Sequence, residues 1–294
     1  MNFDPYSMLK TIADRGIANQ KVNPGDTYDA DGCLTCGVCK RPRQKFIMVA
    51  APTDAEPERK MRMKVTTQCD CEVAKENAEK RLKEDQDAME KVMRLRKASL
   101  MDAKFKGATF DNFSVTKSNE RNLKLCKRYA TAFDAMLEKN QGLILWGNVG
   151  TGKSFAAACI ANYLLDHGVP VIMTSLVKLL ELIQGGEEKE TDILARLNSA
   201  KLVIFDDLGA ERNTDYALEK IYNIVDSRYR RQKPMIFTTN LTVAEMQEET
   251  DIRYSRIYDR VFEVCYPMQF IGQSWRMKTA SRRFDEMEQL LNGE

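Results

Sequence analysis

Residues 142–154 read Gly142-Leu-Ile-Leu-Trp146-Gly147-Asn148-Val149-Gly150-Thr151-Gly152-Lys153-Ser154. The last eight form a complete G-x-x-x-x-G-K-[ST] phosphate-binding pattern. The apolar run 142–146 predicts a buried strand. Phe155–Leu165, with strong helix formers at helical spacing, predicts a helix. The loop therefore sits between a strand and a helix N-terminus, where its chemistry needs it. Glycines let successive backbone N–H groups face one anion. The helix dipole adds partial positive charge at the same point. Lys153 is expected to reach the β- and γ-phosphates of a nucleotide, and Ser154 to ligate Mg²⁺.

Working outward, helices and strands alternate. Helices are expected at 118–139, 153–167, 176–183, 190–199 and 214–232. Strands are expected at 142–146, 169–174, 201–205 and 234–239. The alternation predicts an α/β fold, a parallel sheet flanked by helices. Ligands of such sheets bind beyond the C-terminal strand ends. The loop at 147, the pair Asp206-Asp207 and Asn240 all fall at such ends, so they are expected to converge. Asp206 suits the Mg²⁺ shell. Asp207 suits orientation of an attacking water. Asn240 suits a hydrogen bond to that water or to the γ-phosphate. Arg256 and Arg260, four apart, share one helix face. They are candidates for action on a neighbouring subunit's phosphates; a surface ion-pair helix with Asp259 is the competing reading. Arg276 is a candidate contact to the γ-phosphate of its own subunit.

The chain's 294 residues suggest about two domains. No apolar run approaches the ~20 residues that span a bilayer. The first residues have no secretory pattern. A cytoplasmic location and no membrane contact are expected. Five of eight cysteines cluster within residues 33–71, which in a reducing compartment reads as metal ligation. Cys33-Leu-Thr-Cys36-Gly37 has knuckle spacing, and Cys69-Asp-Cys71 supplies a second pair. Together Cys33, Cys36, Cys69 and Cys71 predict a four-thiolate structural Zn²⁺ site, with Cys39 as a possible substitute. Cys126, Cys159 and Cys265 read as inert core residues. A short helix is expected at 4–20, capped by Asp4. A long, charged, solvated helix is expected at 73–100. The expected organisation is a small α+β zinc domain at 1–72, a linker helix at 73–104 and the nucleotide-binding domain at 105–294. A net charge of +2 says nothing about nucleic acid. Basic groups at Lys40–Arg43, Arg59–Lys64 and Arg228–Arg231 are usually solvated faces.

Residues 105–284 resemble the AAA+ ATPase module of bacterial replicative helicase loaders of the DnaC and DnaI type. The matching pieces are the 147–154 loop, Leu202-Val-Ile-Phe-Asp-Asp-Leu-Gly209, Thr238-Thr-Asn240, Arg256-Ile-Tyr-Asp-Arg260 and the Trp275-Arg276 pair. Thr109-Phe-Asp-Asn-Phe113 resembles the segment whose backbone lies near adenine. The resemblance implies ATP and Mg²⁺ as cofactors. It implies a hexameric DnaB-type helicase as partner, single-stranded DNA as substrate and ATP-dependent self-assembly. Asn240 becomes the first sensor, Arg260 the arginine finger with Arg256 beside it, and Arg276 the second-sensor arginine. The N-terminal cysteines resemble, more loosely, a zinc-bearing, helicase-binding domain. Thr174–Gly186 and the helix around Tyr229 become candidates for gripping DNA. Asp207 departs from the glutamate usual in AAA+ proteins, which implies slow, partner-stimulated hydrolysis. An IstB-type transposition helper, which shares the module, and a nucleotide-gated adaptor with little hydrolysis stay open as alternatives.

Overall fold

The structure is a computed structural model that describes residues 5–50, 60–186, 188–211 and 214–292. The expected cap Asp4 and the basic residue Arg59 lie outside them. The chain divides into two compact units, Met1–Asp87 and Ala88–Glu294. The division falls inside the long helix rather than at its ends.

In the first unit, α1 (Pro5–Ala18) packs against the second strand of an antiparallel hairpin, β3 (Gln44–Ala50) and β4 (Lys60–Thr66). The ladder runs from Gln44 opposite Thr66 to Ala50 opposite Lys60. A smaller pair, β1 (Thr27–Tyr28) and β2 (Leu34–Thr35), precedes it. Helix α2 (Asp70–Ala98) starts in this unit and ends in the second, and no residue of it is fully buried. Its last turns are anchored within the second unit. Leu95 packs on the core there, and Arg96 binds Asp166 at 2.5 Å.

The second unit is a sheet between two helical layers. Its helices are α3 (Glu120–Thr131), α4 (Phe133–Glu138), α5 (Lys153–Asp166), α6 (Leu176–Gln184), α7 (Glu190–Ser199), α8 (Asp215–Arg230), α9 (Val243–Gln247), α10 (Ile252–Val264) and α11 (Trp275–Asn292). Its strands are β5 (Gly142–Trp146), β6 (Val171–Ser175), β7 (Leu202–Leu208), β8 (Met235–Thr239) and β9 (Cys265–Gln269). They lie in the order β6-β7-β8-β5-β9, every pair parallel. The expected single helix at 118–139 breaks at Ala132 into α3 and α4.

Alternation along β5 explains the layers. Leu143 and Leu145 face the α3/α5 side, and Ile144 faces the side of α6, α8 and α10. The alanines at 156–158 bury completely and let α5 lie close on the sheet. The first four residues of β6, β7 and β8 are buried as well, as strands covered on both faces require. Strand β9 was not legible in the sequence because Pro267 interrupts it. At an edge position that lost N–H costs no ladder bond.

Candidate functional site

The loop at 147–154 leaves β5 and enters α5, so its geometry is fixed by both. Gly150 has φ +80°, and a Cβ there would collide with Ser274 Oγ. The same close approach lets Gly150 accept the Trp275 N–H at 2.9 Å, tying the root of α11 to the loop. Lys153 is 5% exposed. Its ammonium donates to the carbonyls of Gly147 (2.7 Å) and Asn148 (2.8 Å) and to Asn240 Oδ1 (2.9 Å). Burial pushes its pKa down, while Asp207 and Asp206 act in the opposite sense.

Strand β7 carries the two carboxylates on an irregularity. Phe205 pairs with Phe237, and the next paired residues are Leu208 and Thr239. Asp206 and Asp207 therefore share the single residue Thr238, a β-bulge. Asp207 takes φ +57°, a left-handed conformation that Asp tolerates better than most residues. One hydroxyl holds both: Thr238 Oγ1 donates to Asp206 Oδ1 at 2.6 Å and accepts the Asp207 N–H at 2.9 Å. The bulge brings Asp207 into a cavity lined also by Gly150, Lys153, Ser154, Asn240 and Arg276. Burial, then the neighbouring Asp206, raises the Asp207 pKa, opposed by Arg276 and Lys153.

Of the strand-end residues expected to converge, the loop, Asp207 and Asn240 line one cavity, and Asp206 is not in its lining. Phe105 and Phe155 also line it and were not singled out from the sequence. Phe155 had a signal, since it follows Ser154 directly. Phe105 had none, being held only by the fold of the segment after α2. A second cavity, beside the first, is lined by Asn112, Phe113, Ser114, Phe155 and Trp275. It falls on the segment expected near a base. Asn162 of α5 fixes the approach to that segment by donating to the Phe105 and Ala108 carbonyls, both at 2.8 Å.

Arg256 and Arg260 line neither cavity. Arg260 is engaged in its own chain, not by Asp259 but by Asp226 Oδ1 (2.9 Å) and Tyr222 Oη (2.8 Å). Arg256 is exposed and has no side-chain partner among the described residues. Two of the basic groups are partly internal. Arg228 is fully buried and caps the carbonyls of Leu197, Ala200 and Pro234. Tyr229 is held by Glu263 at 2.7 Å. Arg43 is buried against Asp26 at 2.5 Å and Glu72 at 2.6 Å. Arg43 and Arg228 are therefore structural side chains, whereas Tyr229 is half-buried and Arg230 and Arg231 are exposed.

The cysteine cluster corrects the expected ligand set. Sγ atoms of Cys36, Cys39, Cys69 and Cys71 all lie within 4.8 Å of one another, and Cys33 is outside the group. Cys36 belongs to two C-x-x-C spacings, so sequence alone could not choose. The turn chooses. Lys40 N–H bonds the Cys36 carbonyl at 3.0 Å, and the Val38 and Cys39 amides face the Cys36 sulfur. Amides of Arg41 and Cys71 do the same for Cys39, lowering its pKa to about 6. Cys33 instead ends the β1–β2 turn, its N–H held by Asp29 at 2.7 Å. The Cys71–Cys36 and Cys71–Cys69 separations are both 3.3 Å, and all four thiols are free. A disulfide needs ~2.05 Å, whereas a tetrahedral site with Zn–S near ~2.3 Å sets sulfurs a little under ~4 Å apart. The donor set fits a structural metal. Gly37 allows this turn to lie against the segment before β1, because a Cβ there would overlap the Gly25 backbone. Gly37→Ala is expected to cost about 1–3 kcal/mol of first-unit stability, as overpacking does. Thermal melting of the metal-loaded protein checks it.

Among the described residues no helix is long and apolar enough to cross a membrane. A model of the family described as IstB-like ATP binding protein matches residues 60–283. The replicative helicase loader DnaC of Escherichia coli (strain K12) is 28% identical over 158 residues, covering 52% of this chain and 62% of that protein. DnaC of Buchnera aphidicola subsp. Acyrthosiphon pisum (strain APS) is 28% identical over 163 residues, 53% of this chain and 64% of that one. The replicative helicase loader DnaI of Bacillus subtilis (strain 168) is 23% identical over 205 residues, 65% of each. The chain thus spans a little under two thirds of the length of these relatives. Among solved structures, that of DnaI aligns with a TM-score of 0.52 at 21% identity, covering 61% of this chain and 98% of that one. That of the DnaC helicase loader aligns at 0.50 and 23%, covering 58% and 100%. These two likenesses bear on the fold alone, a P-loop AAA+ arrangement like the one described above. Because the family match spans well over half of its length, the chain belongs to the IstB-like ATP binding proteins.

Proposed function

We propose that the chain is an ATP-dependent loader that binds a hexameric DnaB-type helicase and places it on single-stranded DNA. One observation carries the reading. Lys153, Asp207, Asn240 and Arg276 meet in one cavity, while the Arg256/Arg260 pair sits on another helix, away from it. Arg276 lines this cavity, so an arginine from the Arg256/Arg260 pair would serve a neighbouring subunit's site, which suits a protein that assembles side by side on ATP. Similarity to proteins named helicase loaders supports the direction of that assembly. Ser154 and Asp206 would hold Mg²⁺ with the triphosphate, and Asp207 would orient the attacking water. Cys36, Cys39, Cys69 and Cys71 would hold Zn²⁺ and fold the unit that contacts the helicase. Hydrolysis, slow and stimulated by assembly, would release the loader.

Native mass spectrometry with a DnaB-type helicase, with and without ATP, tests the reading. An ATP-dependent complex carrying one zinc per chain is the expected outcome. Absence of any such complex, together with ATP-dependent binding to duplex DNA, would favour a transposition helper.

The arginines give a separate prediction. Arg256→Ala and Arg260→Ala are each expected to lower assembly-stimulated hydrolysis at least about tenfold while ATP binding is kept. Mixing either with Lys153→Ala subunits, which still present both arginines, should restore part of the activity. No restoration would mean that the arginine acts within its own subunit. Arg260 must first exchange Asp226 and Tyr222 for the neighbour's phosphate, so its variant should also melt earlier.

A further inference from the structure

The last helix has a feature that neither the nucleotide cavity nor the cysteine cluster explains. Along α11, Met277, Phe284, Met287 and Leu291 all stand in solvent, Phe284 at 69% and Leu291 at 78% exposure. A lone exposed leucine is ordinary, but a continuous apolar row on one helix marks a docking surface. The spacing is specific. Residues 277, 284 and 291 are seven apart, with Ala280 and Met287 at the intervening fourth positions. This is the a/d seam of a two-stranded coiled coil.

The residues flanking the seam name the occupant. Arg283 precedes an a position and Glu288 follows a d position, which are the g and e sites of the heptad. In a parallel pair, g of one helix meets the following e of its partner. Two copies of α11 would form Arg283–Glu288 pairs on both sides of the seam. Both side chains are exposed, and neither forms an ion pair among the described residues. The helix is thus complementary to itself in parallel register. An anionic lipid surface fits less well, because Glu288 lies between Met287 and the exposed Leu290 and Leu291.

We infer that α11 pairs in parallel with α11 of a second copy, giving a closed dimer through a two-fold axis. The contact is isologous, so it stops at two subunits. It needs neither nucleotide nor helicase and does not depend on the loader reading. The seam is short, so the dimer is weak and depends on concentration.

Sedimentation velocity of the full chain without nucleotide tests this. The wild type should show a reversible monomer–dimer equilibrium below ~100 µM. Phe284→Glu and Leu291→Glu should each weaken it at least about tenfold, with unchanged circular dichroism. Arg283→Glu alone and Glu288→Arg alone should each weaken the dimer. An equimolar mixture of these two variants should pair again, because every g–e contact is then of opposite sign. A wild type that stays monomeric throughout, a dimer indifferent to both glutamate variants, or a variant mixture that fails to pair would each overturn the inference. Leu291 lies near the helix end, so that arm remains informative should Phe284→Glu fail to fold.

Discussion

Asp207→Asn is expected to cut ATP hydrolysis by about 10²–10⁴-fold while ATP binding is retained. The substitution is chosen for its backbone. Position 207 has φ +57°, which Asn adopts as readily as Asp. The Thr238 hydroxyl accepts from the 207 amide, which the change leaves intact. Only the carboxylate's capacity to take a proton from water is removed. The wild-type rate should carry an acid limb that the variant lacks. Burial and Asp206 raise the Asp207 pKa, so this limb is displaced upward from where an ordinary aspartate would put it, and activity climbs as pH rises through it. Stability runs the other way. A raised folded-state pKa contributes stability that is fully present below the unfolded value and lost as pH rises through the folded value. At neutral pH the wild type therefore holds an ionised carboxyl that the fold disfavours. Asp207→Asn should melt at the same temperature or higher, as is common when a strained acid leaves an active site. Phosphate release against pH and a thermal melt of each protein check both signs. A variant that hydrolyses ATP at the wild-type rate would remove Asp207 from the mechanism.

The second large effect concerns the cysteines. Chelation of the metal, or Cys39→Ser, is expected to unfold the first unit. Binding energies of structural Zn²⁺ are on the order of 10 kcal/mol, more than so small a core supplies. The second unit has its own core on both faces of the sheet. It should keep its melting transition and its ATP binding. Limited proteolysis would then remove the N-terminal residues and leave the nucleotide-binding part. Cys33→Ser is the informative control. Its sulfur lies outside the group, so zinc stoichiometry should stay at one per chain. Loss of zinc from Cys33→Ser with retention in Cys39→Ser would restore the ligand set read from spacing.

The nucleotide cavity was legible because each of its parts has a local signature. A glycine-rich loop, an acid pair after an apolar run and an Asn ending another run all mark strand ends, and a parallel sheet brings those ends to one side. What escaped notice has no local mark. Strand β9 is hidden by Pro267, which only an edge position tolerates. The bulge that shapes Asp207 is a matter of register against Thr238, invisible in β7 alone. The ligand choice at Cys36 depends on which of two equal spacings the fold brings against Cys69 and Cys71, and spacing alone does not carry that. Arg43 and Arg228 read as surface charge because nothing in a linear sequence announces the carboxylates and carbonyls that surround them.

The extra residue in β7 also makes the fold and the chemistry separable. Side chains along a strand alternate between faces, and a single inserted residue resets that alternation. Upstream of the bulge, Val203, Ile204 and Phe205 keep their places in the two cores whatever follows. The sheet and the phosphate loop therefore do not depend on how residues 206–208 are arranged, whereas the placing of Asp207 in the cavity does. Substitutions confined to 206–208 can thus alter what the cavity presents to a nucleotide while leaving in place the sheet that carries it.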